Sequence, residues 1–169
     1  MQRALRLAEQ GTERAHGRAL RDTARWAGRQ SASRLAKANR IPVRALTRGR
    51  LGKRGRVRIT KGEEGANVWV GTYPVKASYL GPISQTIRTR AIRVGRHSFP
   101  GAFVARMPSG HVGVFKREGK SRLPIVEQAV ELDGARKVKS GVEREIPMRF
   151  RELLRQAVRF EQLKYQGRL

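Results

Sequence analysis

Ser109-Gly110-His111 sets a hydroxyl beside an imidazole, the pairing that general-base activation of a serine requires. Glu63-Glu64 sets two carboxylates side by side, as a divalent cation would want. Neither develops into a site. The serine and histidine fall inside a tight turn, Met107-Pro108-Ser109-Gly110, with no acid close by in sequence to orient the imidazole. Adjacent glutamates on a strand point to opposite faces, and no third ligand is suggested. Cysteine is absent, which removes thiol nucleophiles, thiolate metal sites and disulfides. His16, His97 and His111 lie far apart, and no serine-hydrolase elbow or phosphate-binding glycine loop occurs. A nuclease would need several acids to hold magnesium, and the basic half of the chain has almost none. The expectation is a non-enzyme with no catalytic residue, no metal, no cofactor and no small-molecule substrate.

The charge points elsewhere. Against 38 Lys+Arg stand 13 Asp+Glu, a formal net charge of +25. Between Thr23 and Arg117 the acids are Glu63 and Glu64, and eight acids follow Arg117. Arginine predominates, and its planar fork suits phosphate and carboxylate. So basic a chain repels itself and calls for a nucleic acid or an acidic protein surface as partner. Ser33 to Leu46 has the cadence of a helix-turn-helix, with a second helix opening at Pro42 and ending by Gly49. That helix is too short to read bases, whereas phosphate contact does not need such precision. The best candidates for DNA contact are Arg48, Arg50, Lys53, Arg54, Arg56 and Arg58, in a stretch whose glycines let the backbone reach outward. A non-specific, basic nucleic-acid-binding protein is the function these residues suggest by themselves.

The elements that would position these residues give an α+β class: a long N-terminal helix, a central antiparallel β-sheet and a C-terminal helix. At 169 residues, 38% of them apolar and 6% aromatic, one domain with a small core is expected. Its parts are a helical arm over 1–42, a basic loop or hairpin over 47–65, a sheet core over 66–125 and a helix over 146–164. In the arm, Leu20, Ala24, Ala27, Ser31, Leu35 and Ala38 recur at helical spacing, opposite Arg14, Arg18, Arg21, Arg25 and Arg29. A break or frayed stretch is expected near Gly11 or Gly17, and Ile41-Pro42 is expected to end the helix. Val57 and Ile59 alternate as a short strand, and Asn67 to Gly71 is a second. Ile87 to Val94 changes phase at Ala91-Ile92, which predicts a bulge or bend. A hairpin over about 101–117 turns through Pro108 and Gly110. Leu123-Pro124-Ile125 is extended, and Val126 to Leu132 is a short turn or helix. Pro147 opens the last helix, whose apolar stripe is Phe150, Leu153, Leu154, Ala157 and Phe160. No stretch approaches the roughly 18 apolar residues that span a bilayer, and no apolar signal core opens the chain, so a soluble chain of the cytoplasm is expected.

Phe99-Pro100-Gly101-Ala102-Phe103-Val104-Ala105, then Ser109-Gly110-His111-Val112-Gly113-Val114-Phe115-Lys116-Arg117, then Arg122-Leu123-Pro124-Ile125, resembles the most characteristic stretch of the phage minor tail protein Z family. Ala19 to Ala27 resembles that family's N-terminal helix, Ile41 to Leu46 its following turn, and Asn67 to Gly71 its first strand. The resemblance spans roughly Ala19 to Leu132. Past Leu-Pro-Ile the chain departs from the family pattern, and the tail after Gly134 is unmatched.

The resemblance implies a structural virion protein that completes the tail of a long-tailed bacteriophage at the head-tail joint, or neck. It implies a homo-oligomer, a ring of six-fold symmetry, meeting the tail terminator and the head-completion or connector proteins. Contact with the end of the packaged dsDNA is compatible with it, as is assembly in the host bacterial cytoplasm; no membrane is involved. Within the string, Phe103, Val112, Val114 and Phe115 are expected to be core. Gly110 should serve the turn, Gly113 close backbone packing, and His111 a structural hydrogen bond. Arg117 and Arg122 should pair with acids of the C-terminal third or of a neighbouring subunit, and Leu123, Pro124 and Ile125 should form the extended exit.

Overall fold

The computed structural model describes residues 2–47, 55–61, 65–86 and 91–166. Its element order is helix, strands, helix, as expected for the α+β class. The chain divides into two compact units, each interrupted in sequence.

The first unit comprises Met1–Ser31, Val57–Val70 and Arg136–Leu169. Helix α1 (Gln2–Ala38), which it shares with the second unit, runs unbroken through its glycines, so the break expected at Gly11 or Gly17 does not occur. Each glycine costs about 1 kcal/mol of propensity, which a long helix with a buried stripe absorbs. Ala15, Ala19, Thr23, Ala24, Ala27 and Ser31 are buried, while Arg14, Arg21, Arg25 and Arg29 are exposed. Leu20 is only half-buried, and Ala38, at the helix end, is exposed. The small residues bring a hairpin close: β1 (Val57–Lys61) pairs antiparallel with β2 (Ala66–Val70). A Cβ on Gly28 would lie 3.0 Å from Cδ1 of Ile59.

Helix α3 (Ala135–Tyr165) completes this unit. It begins well before the expected residue 146, so Pro147 lies in its interior rather than at its first turn. Proline removes one backbone donor, a loss that Ala135 to Ile146 did not betray in sequence. Along α1 and α3, a Cβ on Gly11 would sit 3.9 Å from Cβ of Glu161, and His16 meets the Phe150 ring edge-on at 5.7 Å. Arg18 lies 3.8 Å from Glu161 and stacks 4.2 Å over the Phe160 ring. The expected apolar stripe of α3 is only partly covered. Ala157 is buried, Phe150, Leu153 and Leu154 are half-buried, and Phe160 is exposed. Between the helices and β2 an apolar groove of about 320 Å³ remains, lined by Leu20, Ala24, Val68, Ile146, Pro147 and Phe150 among others.

The second unit, Ala32–Arg56 and Gly71–Ala135, holds the larger side chains of the core: Leu35, Leu46, Val75, Ile92, Val94 and Val114 are fully buried. Here α1 ends at Ala38, earlier than Ile41-Pro42. Ile41 N–H donates to the Ala36 carbonyl and Arg40 N–H to that of Lys37, with Arg40 at φ 53°, the double bond pattern of a Schellman cap. The second helix of the expected helix-turn-helix, α2 (Arg44–Thr47), is a single turn. The strands form three small antiparallel sheets rather than one: β3 (Val75–Lys76) with β10 (Ala129–Val130); β4 (Ile83–Thr86), β5 (Ala91–Val94) and β6 (His97–Pro100) in that order; and β7 (Ala102–Arg106), β8 (Val112–Arg117) and β9 (Ile125–Glu127) in that order. Of Ile87 to Val94, the part before Ala91 lies outside the described residues. The expected bulge or bend therefore cannot be followed before Ala91, and Ala91 and Ile92 are both buried in the central strand β5. Val126 to Leu132, expected as a turn or helix, supplies β9 and β10 instead. Edge strands this short carry too little periodicity to be read from sequence.

Candidate functional site

The family-like string forms the β7-β8-β9 sheet. Phe103 pairs with Phe115, Val104 with Val114, and Phe115 with Glu127 across the three strands. The turn closes as its residues dictate: Gly110 N–H donates to the Met107 carbonyl at 2.8 Å, and Gly110 takes φ 77°, which a side chain would resist. Val114 and Phe115 are buried as expected, whereas Phe103 and Val112 are half-buried. Gly113 serves close packing: a Cβ there would come within 2.8 Å of the Phe115 ring and 3.0 Å of a Glu127 oxygen.

His111 is a hydrogen-bonded histidine, its Nε2 lying 2.6 Å from Oε1 of Glu127. Lys76 of β3 donates to the other oxygen of the same carboxylate. Burial pushes the Glu127 carboxyl up, but hydrogen bonds from Lys76 and His111, and the charges of both, outweigh it and hold it below its ordinary value. The imidazole of the Ser109-Gly110-His111 triplet is thus held by a carboxylate on β9, a partner distant in sequence. Among the described residues, Arg117 does not reach an acid of its own chain. Its guanidinium donates to the Arg122 carbonyl and lies 5.4 Å from the centre of the Phe103 ring, bracing the β8-β9 connection. Leu123 is 69% exposed, and Ile125, Val126, Met107 and Val104 are exposed with it. The string thus builds a three-stranded sheet with an open apolar border.

Of the DNA-contact candidates, Arg48, Arg50, Lys53 and Arg54 lie outside the described residues, as do Glu63 and Glu64. Arg56 is buried. Its Nε and a terminal nitrogen donate to the carbonyls of Tyr73 and Pro74 at 3.2 and 2.5 Å, and the group stacks 4.2 Å over the Tyr73 ring. Burial lowers its proton affinity, partly offset by Tyr73 and Tyr79. With Nε and one terminal nitrogen turned to backbone carbonyls, the buried Arg56 ties down Tyr73 and Pro74. Arg58 is only half-buried, stacked 4.0 Å over the exposed Trp69.

Sequence reasoning missed Asn39. Its amide donates to the carbonyls of Leu35 and Asp133 at 2.9 and 3.0 Å, and its oxygen accepts Asp133 N–H at 2.8 Å. An asparagine just past a helix end is a recognised capping signal, though nothing in sequence names Asp133 as its partner. Glu127 and Lys76 were missed for the same reason. Among the described residues no group of three or more His, Asp or Glu side chains could hold a metal, and no helix is long and apolar enough to cross a membrane.

The characteristic string of this basic α+β protein thus builds a sheet and a turn, with its histidine bonded to a carboxylate. The family model of prophage minor tail protein Z (GPZ) matches residues 3–168, nearly the whole chain and well beyond Ala19 to Leu132. The chain belongs to that family, and is a structural protein of a bacteriophage tail, a component of the virion that works among other virion proteins. No curated protein and no solved structure matches it.

Proposed function

We propose that this protein completes the phage tail at the head-tail joint, as one ring of six copies. In the neck it links the tail terminator to the head-completion or connector proteins, with no catalytic step. Its chain acts there as a single tail-completion domain, assembled in the host cytoplasm. The observation that carries the reading is the half-covered apolar stripe of α3. A stripe with Phe160 exposed, beside an open apolar groove, is what a subunit finished by its neighbours would present. The open border at Leu123, Ile125 and Val126 offers a second such surface. A net charge of +25 makes contact with the DNA end favourable when a ring fixes the basic groups along a channel. Arg58 and the stretch from Arg48 to Arg54 are the residues proposed for that contact. The test is the copy number in purified particles, by quantitative peptide mass spectrometry against the portal subunit. About six copies per particle is the expected result for one ring matching the six-fold tail. Absence from particles would sink the proposal and favour a non-specific nucleic-acid-binding protein, whose affinity would fall steeply with salt.

A further inference from the structure

In the second unit a separate groove of about 390 Å³ is lined by Ala36, Lys37, Arg40, Ile41, Pro42, Leu80, Gly95 and Arg96. Its cations come from separate elements: Lys37 and Arg40 from the end of α1, and Arg96 from the β5-β6 turn. A fourth, Arg44 of α2, lies by the Gly81-Gly95 side, 3.7 Å from where a Gly81 Cβ would stand. All four are exposed, and none forms an ion pair or side-chain hydrogen bond among the described residues. Cations at a helix C-terminus complement its dipole, which accounts for Lys37 and Arg40 but not for Arg44 or Arg96. Arg40 also holds φ 53°, where glycine is the residue of least cost. A cation kept in that conformation points to a use for its charge.

We propose that this groove docks an acidic segment of another virion protein, one in which carboxylates flank an apolar side chain. The proposal rests on the reading that the protein works among other virion proteins. The rim supplies guanidinium and ammonium groups for the carboxylates, and Ala36, Ile41, Pro42 and Leu80 supply a floor for the apolar residue. A DNA duplex, roughly 20 Å across, would touch the rim and leave that floor unused. The chain's own segment of this chemistry, Glu131-Leu132-Asp133, is engaged in its own fold: Leu132 is buried, and the Asp133 backbone is held by Asn39. A second copy therefore does not offer that segment.

The test is fluorescence anisotropy on the full-length protein with a labelled acidic pentapeptide bearing a central leucine. A same-charge peptide with serine at the centre and a DNA duplex of about 20 base pairs serve as competing probes. Arg40→Gly keeps the left-handed backbone while deleting the charge, and Arg96→Ala alters an exposed turn, so both should fold, as a thermal melt would verify. The leucine peptide should bind, each substitution should weaken it about tenfold, and the serine peptide should bind about tenfold less tightly. Arg93→Ala, exposed on β5 and outside the groove, should change binding by less than about twofold. Failure of the peptide to bind, or binding indifferent to Arg40→Gly and Arg96→Ala, overturns the proposal. Equal binding of the serine peptide overturns the role of the apolar floor. If duplex binding is lost with these substitutions and peptide binding is not, the groove is a nucleic-acid site. If self-association is what they abolish, its occupant is a second copy. None of these results bears on the copy number in particles, so the two readings can fail separately.

Discussion

The two compact units solve the same problem with different side chains. The first packs alanine, glycine and serine of α1 against a two-stranded hairpin and a helix whose apolar stripe stays half open. The second closes around Leu35, Leu46, Val75, Ile92 and Val114, and ties its loops down with polar side chains aimed at backbone atoms. Small residues permit close approach but bury little area, so the first unit gains less per residue from its own packing. The contrast lies in what fills each core, mostly alanine in the first unit and Leu, Ile and Val in the second, while both leave apolar side chains exposed, Phe160 in the first and Leu123 in the second.

The comparison can be broken most decisively at the cores. Leu46→Ala, at a fully buried position, should destabilise by about 3 kcal/mol, whereas Leu153→Ala on the half-buried stripe should cost only about 1 kcal/mol, both read by urea denaturation. Similar costs at the two sites would refute the contrast. Asn39→Ala should come next, at about 2 kcal/mol, because it strips partners from Asp133 N–H and from two carbonyls. Gly113→Ala should cost about 1.5 kcal/mol, since the new methyl must displace the Phe115 ring or the Glu127 carboxylate. In the first unit the sign should reverse. At Gly17 a methyl meets only the flexible tip of Arg21, so Gly17→Ala should stabilise by about 0.5–1 kcal/mol in the same assay.

The smallest effect sharpens the contrast through pH. Glu127 has a folded carboxyl below its ordinary value, so its stabilising contribution is fully present above the unfolded value. That contribution is lost as pH falls through the folded one. Stability measured from neutral pH down through the carboxylate range should decline more steeply for the native protein than for Glu127→Gln. Parallel curves would mean that the Lys76-Glu127-His111 cluster contributes nothing to the fold.

Features with local causes were legible in the residues. Pro108 and Gly110 announce the hairpin turn, and Val57, Ile59 and Val68 alternate as paired strands do. Helix α1 shows its stripe through spacing alone. The misreadings share one cause. Gly11, Gly17 and Pro147 are local breakers, and each was overruled by contacts along a long helix. Arg56 looks like any other arginine of a basic stretch until Tyr73 and Pro74 fold against it. The partnership of Lys76, His111 and Glu127 joins two strands and the hairpin connection before a third, and no spacing encodes it.

By itself the sequence determined the helix-sheet-helix order, the strong positive charge and the string of residues from Phe99 to Ile125 that marks the family. These depend on propensity, composition and short-range pattern, which act within a few residues. Only the tertiary structure decided which arginine is turned inside, which carboxylate receives His111, that α3 begins at Ala135, and where Lys37, Arg40 and Arg96 gather around an apolar floor. Burial and pairing are set by whatever residue arrives from elsewhere in the chain, and that information is held in the packing.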